Sequence, residues 1–403
     1  MNMLYYFALA LLVCSACGNT KEFVIRGGFP GLQDGMVVSL NQVEDEFEKV
    51  NLARDTVRDG RFELRGSVPS PVFCEIRISN KDLVADKKEV KNNGTFLFLD
   101  NSALKMKAEH YDSLSYVSTL FPSPRERKAT VTGGAAQRDF NAYRDELLPL
   151  ELELKAPLDT LMNLRFYHKY TYPAERYAKI YEEYYPLQVQ RQAAVDAARV
   201  DFVRRHPTSP VSLYIAETLI KTEFTRTREE LQELLRVAER SKDTVRTPRF
   251  MKKMEYAAKQ YKGADYIDTE LFTPAGKKEK LSAHIRPGSY TLIDFWASWC
   301  GPCKAAIPAV KKLYGDYNRN QLNVISISMD EKKADWEKAL KEEDMPWTQL
   351  RAGDRKSYND IMMNYNVISI PRLVIVDPEG KVIFSSNDAD ALRLVLIRLL
   401  GNH

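Results

Sequence analysis

Between Lys21 and about Thr132 the chain runs in short stretches where apolar and polar positions alternate. Phe23-Val24-Ile25, Met36–Leu40, Arg61–Leu64 and Val72–Ile78 have the two-residue period of half-buried strands. Turn residues stand between them: Gly27-Gly28, Asp34-Gly35, Asp59-Gly60, Pro69-Ser70-Pro71 and Asn92-Asn93-Gly94. A small antiparallel sheet or sandwich is expected over residues 18–134. From 135 to 262 the period lengthens. Ala174–Arg205 carries Tyr177, Ile180, Tyr181, Tyr184, Leu187 and Val189 at three- and four-residue spacing, and stops at His206-Pro207. Further helices are predicted over Val211–Ile220 and Arg228–Ser241, so this segment reads as helical, its tyrosine stripe packed against neighbouring helices.

Residues 263–403 alternate again, now between buried strands and helices. The strand Thr291–Phe295 is followed by a helix from about Lys304, a strand Leu322–Ser328 and a charged helix from Lys332. Arg372–Val376 and Lys381–Phe384 read as a hairpin around Asp377-Pro378-Glu379-Gly380, before a last helix from about Ala389 to Leu400. This order predicts an α/β domain: a mixed sheet with helices on both faces.

Composition narrows what such a chain does. A net charge of +4 over 403 residues gives no field of the kind that binds nucleic acid. The five histidines have no metal-ligand spacing, so no metal site is expected. Five cysteines are too sparse for a disulfide scaffold in a chain of this length. Cys74 alternates with Val72, Ile76 and Ile78 and is expected to be a buried, inert thiol. Cys300 and Cys303 form a C-x-x-C pair. No suitably spaced histidine accompanies it, so the pair is not read as half of a zinc site.

The apolar stretch Met3–Val13 is too short to span a bilayer and fits the apolar region of a secretory signal. Its Ser15-Ala16-Cys17 ending resembles a bacterial lipoprotein signal, covering residues 1–17. The resemblance implies lipidation at Cys17, and hence an envelope protein held to a membrane by acyl chains. Two features depart from that pattern: no Lys or Arg precedes the stretch, and Cys14 stands where such signals usually carry Leu. An ordinary cleaved signal and a buried N-terminal element remain alternatives.

Disulfide exchange needs a thiolate that can reach a substrate sulfur, and a second thiol close enough to displace the product. Cys300 is placed at a helix N-terminus, where free N–H groups and the helix dipole favour its anion. Cys303 follows one turn later, away from solvent. Pro302 suits a first helical turn because its missing N–H is not required there, and Gly301 leaves the approach to Cys300 open. Trp299, beside the nucleophile, is expected to line the substrate surface.

The run Phe295-Trp296-Ala297-Ser298-Trp299-Cys300-Gly301-Pro302-Cys303-Lys304 resembles the active-site signature of the thioredoxin superfamily. Pro308 matches the proline that kinks the family's active-site helix, and Ile370-Pro371 matches its cis-proline position. That match implies a backbone at Ile370 turned toward Cys300, ready to pair with a substrate chain. Asp294 matches the buried acid held to accept a proton from the second cysteine. Within the superfamily, Met345-Pro346-Trp347, Tyr365–Pro371 and the Asp377–Lys381 turn are most similar to TlpA- and ResA-like envelope reductases. The strand-then-helix part resembles the accessory region of Bacteroidetes lipoproteins of that kind. The resemblance implies a protein disulfide reductase without a cofactor. Its partners would be disulfide-containing envelope proteins and a membrane electron donor of the DsbD/CcdA type.

Two positions depart from the family. Ser326 stands where thioredoxins carry a lysine on the strand beside the acid, and Ile370 replaces the usual threonine. Two other readings stay open. A thiol peroxidase shares the fold, but Ala297 stands where peroxiredoxins carry a threonine. Alternatively, residues 18–262 are the working part of an envelope binding protein, with the exchange domain ancillary.

Overall fold

The computed structural model describes residues 22–401 except 44–48, 117–127, 170, 221–223, 242 and 366. The expected signal segment, with Cys14 and Cys17, lies outside the described residues. The chain divides between Asn141 and Ala142 into two compact units.

The first unit has strands β1 (Phe23–Gly28), β2 (Val37–Val43), β3 (Lys49–Thr56), β4 (Arg61–Gly66), β5 (Val72–Ser79), β6 (Asn92–Leu99), β7 (Ala103–Ala108), β8 (Ser115–Tyr116) and β9 (Ala129–Thr132). They form a four-stranded sheet, β4-β1-β7-β9, and a five-stranded sheet, β3-β2-β5-β6-β8. Pairing is antiparallel except between β1 and β7. Alternate residues of both sheets, among them Phe23, Ile25, Val38, Leu40, Leu64, Ile76, Leu97 and Leu104, build one apolar core. Cys74 is buried within it and belongs to no disulfide.

Two expected turns are instead strand. Asn92, Asn93 and Gly94 open β6, paired with Ser79, Ile78 and Arg77 of β5; the chain reverses in the segment between the two strands. Gly27-Gly28 ends β1 rather than turning, and pairs with Phe62 and Arg61. A Cβ on Gly27 would meet the Phe62 ring at 2.2 Å, so close packing, not chain reversal, requires glycine there.

The second unit holds most of α1 (Ala135–Asn163), then α2 (Ala174–Arg205), α3 (Pro210–Leu219), α4 (Arg228–Arg240) and α5 (Arg246–Ala257). Tyr177 and Tyr181 of the stripe pack against Leu161 and Leu164, whereas Leu187 and Val189 face solvent. A seven-stranded sheet follows, made of β10 (Glu270–Phe272), β11 (Lys278–Lys280), β12 (Tyr290–Trp296), β13 (Leu322–Ser328), β14 (Thr348–Arg351), β15 (Arg372–Val376) and β16 (Val382–Ser386). Its order is β11-β10-β14-β13-β12-β15-β16, with β12, β13 and β14 parallel and the other pairs antiparallel. The parallel strands alternate with α6 (Gly301–Asp316) and α7 (Lys333–Glu343); α8 (Arg355–Asn364) precedes β15, and α9 (Ala389–Leu400) ends the chain's described part.

The helical segment is tied to this sheet domain. Arg165 and Tyr181 both donate to the carboxylate of Asp388, the cap of α9, and Arg393 pairs with Glu182 of α2 at 2.7 Å. Phe224, between α3 and α4, is buried in the sheet domain's own core, its ring 6.4 Å from that of Tyr365. Phe224→Ala should therefore destabilise the second unit by about 3–5 kcal/mol, the usual cost of emptying a buried aromatic site. Denaturant unfolding would check this; a loss under about 1 kcal/mol would show that the ring does not join the two parts. Among the described residues no helix is long and apolar enough to cross a membrane.

Candidate active site

β12 and β15 are antiparallel neighbours, with Phe295 paired to Arg372. The end of one strand therefore lies beside the beginning of the other. β12 runs out through Ala297-Ser298-Trp299 to Cys300, and β15 is entered from Ile370-Pro371, whose peptide bond is cis. This topology brings Cys300 to the 370–371 corner: its Sγ lies 3.7 Å from the Ile370 carbonyl oxygen.

Cys300 caps α6. Its sulfur accepts from the backbone N–H of Cys303 at 3.1 Å, and the two cysteines form a disulfide, with Cα atoms 5.2 Å apart. Cys300 is 5% exposed and Cys303 2%. Pro302 sits in the first turn and Pro308 inside the helix. Gly301 is exposed, with no atom within 4 Å of where a Cβ would be. Trp299 and Trp347, similar in the sequence, part company here: Trp299 is 69% exposed at the rim and Trp347 is buried.

A groove of about 390 Å³ opens over the disulfide, lined by Trp299, Cys300, Gly301, Pro302, Met329, Tyr358, Met362, Val367, Ile368, Ser369 and Ile370. Its walls are mostly apolar, and Ile368 is as exposed as Trp299. Two exposed large apolar side chains thus stand at the rim beside the cysteine pair. Sequence reading missed Met329, Tyr358 and Met362, because α8 carries no strong period of its own and Met329 reads as a strand end.

Asp330 was missed as well. It is buried, and its carboxylate accepts from the Ser298 N–H at 2.9 Å, the Ser298 hydroxyl at 2.6 Å and the Ser328 hydroxyl at 2.7 Å. These bonds pin the loop that delivers Cys300. The available signal was its place just past the carboxyl end of a parallel strand, where sites in such sheets gather.

Asp294 lies in the middle of β12 and is buried. It pairs in register with Ser326 of β13, whose hydroxyl donates to the carboxylate at 2.8 Å. Burial raises the Asp294 carboxyl to about 6, against a smaller lowering by that hydrogen bond. Among the described residues no group of three or more His, Cys, Asp or Glu is arranged to hold a metal ion.

Residues 288–382 match a family described as thioredoxin-like, and residues 23–140 match a domain of unknown function, DUF4369. The thiol-disulfide oxidoreductase ResA of Bacillus thuringiensis subsp. konkukian is 30% identical over 119 residues, which are 30% of this chain and 64% of that protein. The chain thus spans somewhat less than two thirds of that relative. The thioredoxin-like protein YneN of Bacillus subtilis is 32% identical over 123 residues, 30% of this chain and 68% of YneN. A solved thiol-disulfide oxidoreductase from Bacteroides fragilis is 29% identical, covers 34% of this chain and 99% of its own, and has a TM-score of 0.31. Through these residues, with the cysteine pair at the head of α6 and the cis-proline beside it, the chain belongs to the thioredoxin-like family.

Proposed function

We propose that the chain is a thiol–disulfide oxidoreductase that reduces disulfides of cell-envelope proteins. The observation that carries this reading is the Cys300–Cys303 pair at the helix N-terminus, set against the Ile370 carbonyl and an exposed apolar groove. In the reduced chain, the Cys300 thiolate attacks one sulfur of a partner disulfide. That bond breaks, a mixed disulfide forms, and the partner's other sulfur leaves as a thiolate. Cys303 then attacks the Cys300 sulfur and releases the second partner thiolate, leaving Cys300–Cys303 oxidised. Two electrons pass to the partner, and a membrane dithiol donor of the DsbD/CcdA type returns them.

Each remaining site residue has a part in this cycle. Asp294 takes the Cys303 proton. Trp299, Gly301, Pro302, Ile370 and Pro371 form the surface on which an extended partner segment lies, with the Ile370 backbone pairing to it. Lipidation at Cys17 holds the chain to a membrane.

The test is trapping. The Cys303→Ser chain, expressed in its own cells, should carry partner proteins on non-reducing gels that a reductant removes. No adducts, or the same adducts from Cys300→Ser, would refute the reading.

A further inference from the structure

The register of three parallel strands sets Asp294, Ser326 and Gln349 in one row across the sheet. Partners at one register position project to the same face. All three are buried, on a face whose neighbouring positions are filled by residues such as Leu292, Trp296 and Val324. A polar row in such a place needs its hydrogen bonds accounted for.

Ser326 makes two. Its hydroxyl donates to Asp294 Oδ2 at 2.8 Å, and its oxygen accepts from Trp347 Nε1 at 2.8 Å. An indole N–H can only donate, so Trp347 fixes the orientation of the serine. The oxygen takes the indole hydrogen, and the hydroxyl hydrogen is left to serve an acceptor. Gln349 makes none: both atoms of its side-chain amide are buried without a hydrogen-bond partner among the described residues. An orphaned amide beside a bonded hydroxyl is a second acceptor in waiting.

We propose that Ser326, anchored by Trp347, is a two-position hydroxyl that satisfies both protonation states of Asp294, with Gln349 as its alternative acceptor. With Asp294 ionised, the hydroxyl donates to the carboxylate, as observed. When the carboxylate takes the Cys303 proton, its new O–H donates to Ser326 Oγ. The serine hydrogen then swings to Gln349 Oε1. One proton moves from sulfur to carboxyl oxygen; the serine gains and loses none, and no electron moves. This rests on the proposed role of Asp294 as proton acceptor. Ser326, Trp347 and Gln349 are positioning residues, since none touches a reacting sulfur in this scheme.

The electrostatics agree. Desolvation and the Ser326 hydrogen bond are the influences acting on the Asp294 carboxyl, and no charged side chain contributes. Leu373 stands opposite on β15 and offers nothing titratable. The poise of the acid is thus left to neutral dipoles, whose two arrangements favour opposite protonation states.

The experiment is a ¹³C NMR titration of the Asp294 carboxyl in the full chain, the resonance being identified by its absence in Asp294→Asn. Ser326→Ala removes the donor to the ionised form and should move the midpoint up by about one unit, a tenfold change in proton affinity. Gln349→Met removes the acceptor used with the protonated form and should move it down by about half a unit or more. Ser326→Thr keeps the hydroxyl and should restore the parent midpoint. Shifts of the same sign in Ser326→Ala and Gln349→Met, or none beyond about 0.2 units, would overturn the proposal. The titration needs no substrate. A parent chain that reduces no disulfide counts against the proposed function, while these shifts still judge the row.

Discussion

Reduction of a protein disulfide such as that of insulin should fall to the uncatalysed rate in the Cys300→Ser chain, a loss on the order of 10³-fold or more. A serine hydroxyl is not ionised near neutral pH, and the exchange step requires an anionic sulfur. Among the described residues no other thiol can stand in. Cys303 is 2% exposed and lies one turn down the helix, away from the groove that Trp299 and Ile368 border. Cys74 is buried in the first unit. Cys303→Ser should behave differently: it makes the first attack at close to the parent rate and then stalls. Single-turnover thiol release by the two variants separates these outcomes. A Cys300→Ser chain that keeps a tenth of the parent rate would place the nucleophile elsewhere.

Which parts of the molecule could be read from the chain depended on how local their causes are. The motif helix, β13, the closing hairpin and α9 follow from short-range signals: apolar runs, a proline after a capping cysteine, and an Asp-Pro-Glu-Gly turn. The first unit was harder. β3 and β7 mix charged with apolar residues and lack a continuous apolar run, so only pairing with β2 and β1 reveals them as strands. Asn92-Asn93-Gly94 has the composition of a turn, but eight paired positions along β5 override that preference. The burial of Phe224 in the sheet domain had no sequence signal at all, since a lone aromatic in a connection does not say which core it enters.

The site shows the same division. Cys300, Cys303, Asp294, Pro308 and Ile370-Pro371 could be singled out because a motif orders them along the chain. Asp330, Met362 and Gln349 come to the site only through strand order and helix placement. Ser326 lay between these cases. Its position opposite the acid was legible; its two hydrogen bonds, and the reason for a buried Trp347, were not.

Asp294→Asn should make the protein more stable and less active, and the gain should depend on pH in a defined way. Burial raises the carboxyl from an ordinary value of 3.8 to about 6. Between those values the folded chain binds more protons at this position than the unfolded chain does. Stability therefore falls as pH rises through that window, and the full penalty is present above about pH 6. At 1.36 kcal/mol per unit the penalty is about 3 kcal/mol. Asparagine keeps an acceptor for the Ser326 hydroxyl and carries no charge to desolvate. Its advantage over the parent should be close to the full amount at pH 8 and small at pH 4, in paired denaturant titrations. Reduction at pH 7–8 should meanwhile drop by about 10²-fold, the usual contribution of a positioned proton acceptor. Equal stability gains at both pH values would mean that packing, not charge, sets the cost. A stabilised variant with undiminished turnover would leave Asp294 with no part in the chemistry. The combination expected here, stability lost in proportion to the ionised fraction and activity gained with it, marks a carboxylate kept in the core for its proton rather than for the fold.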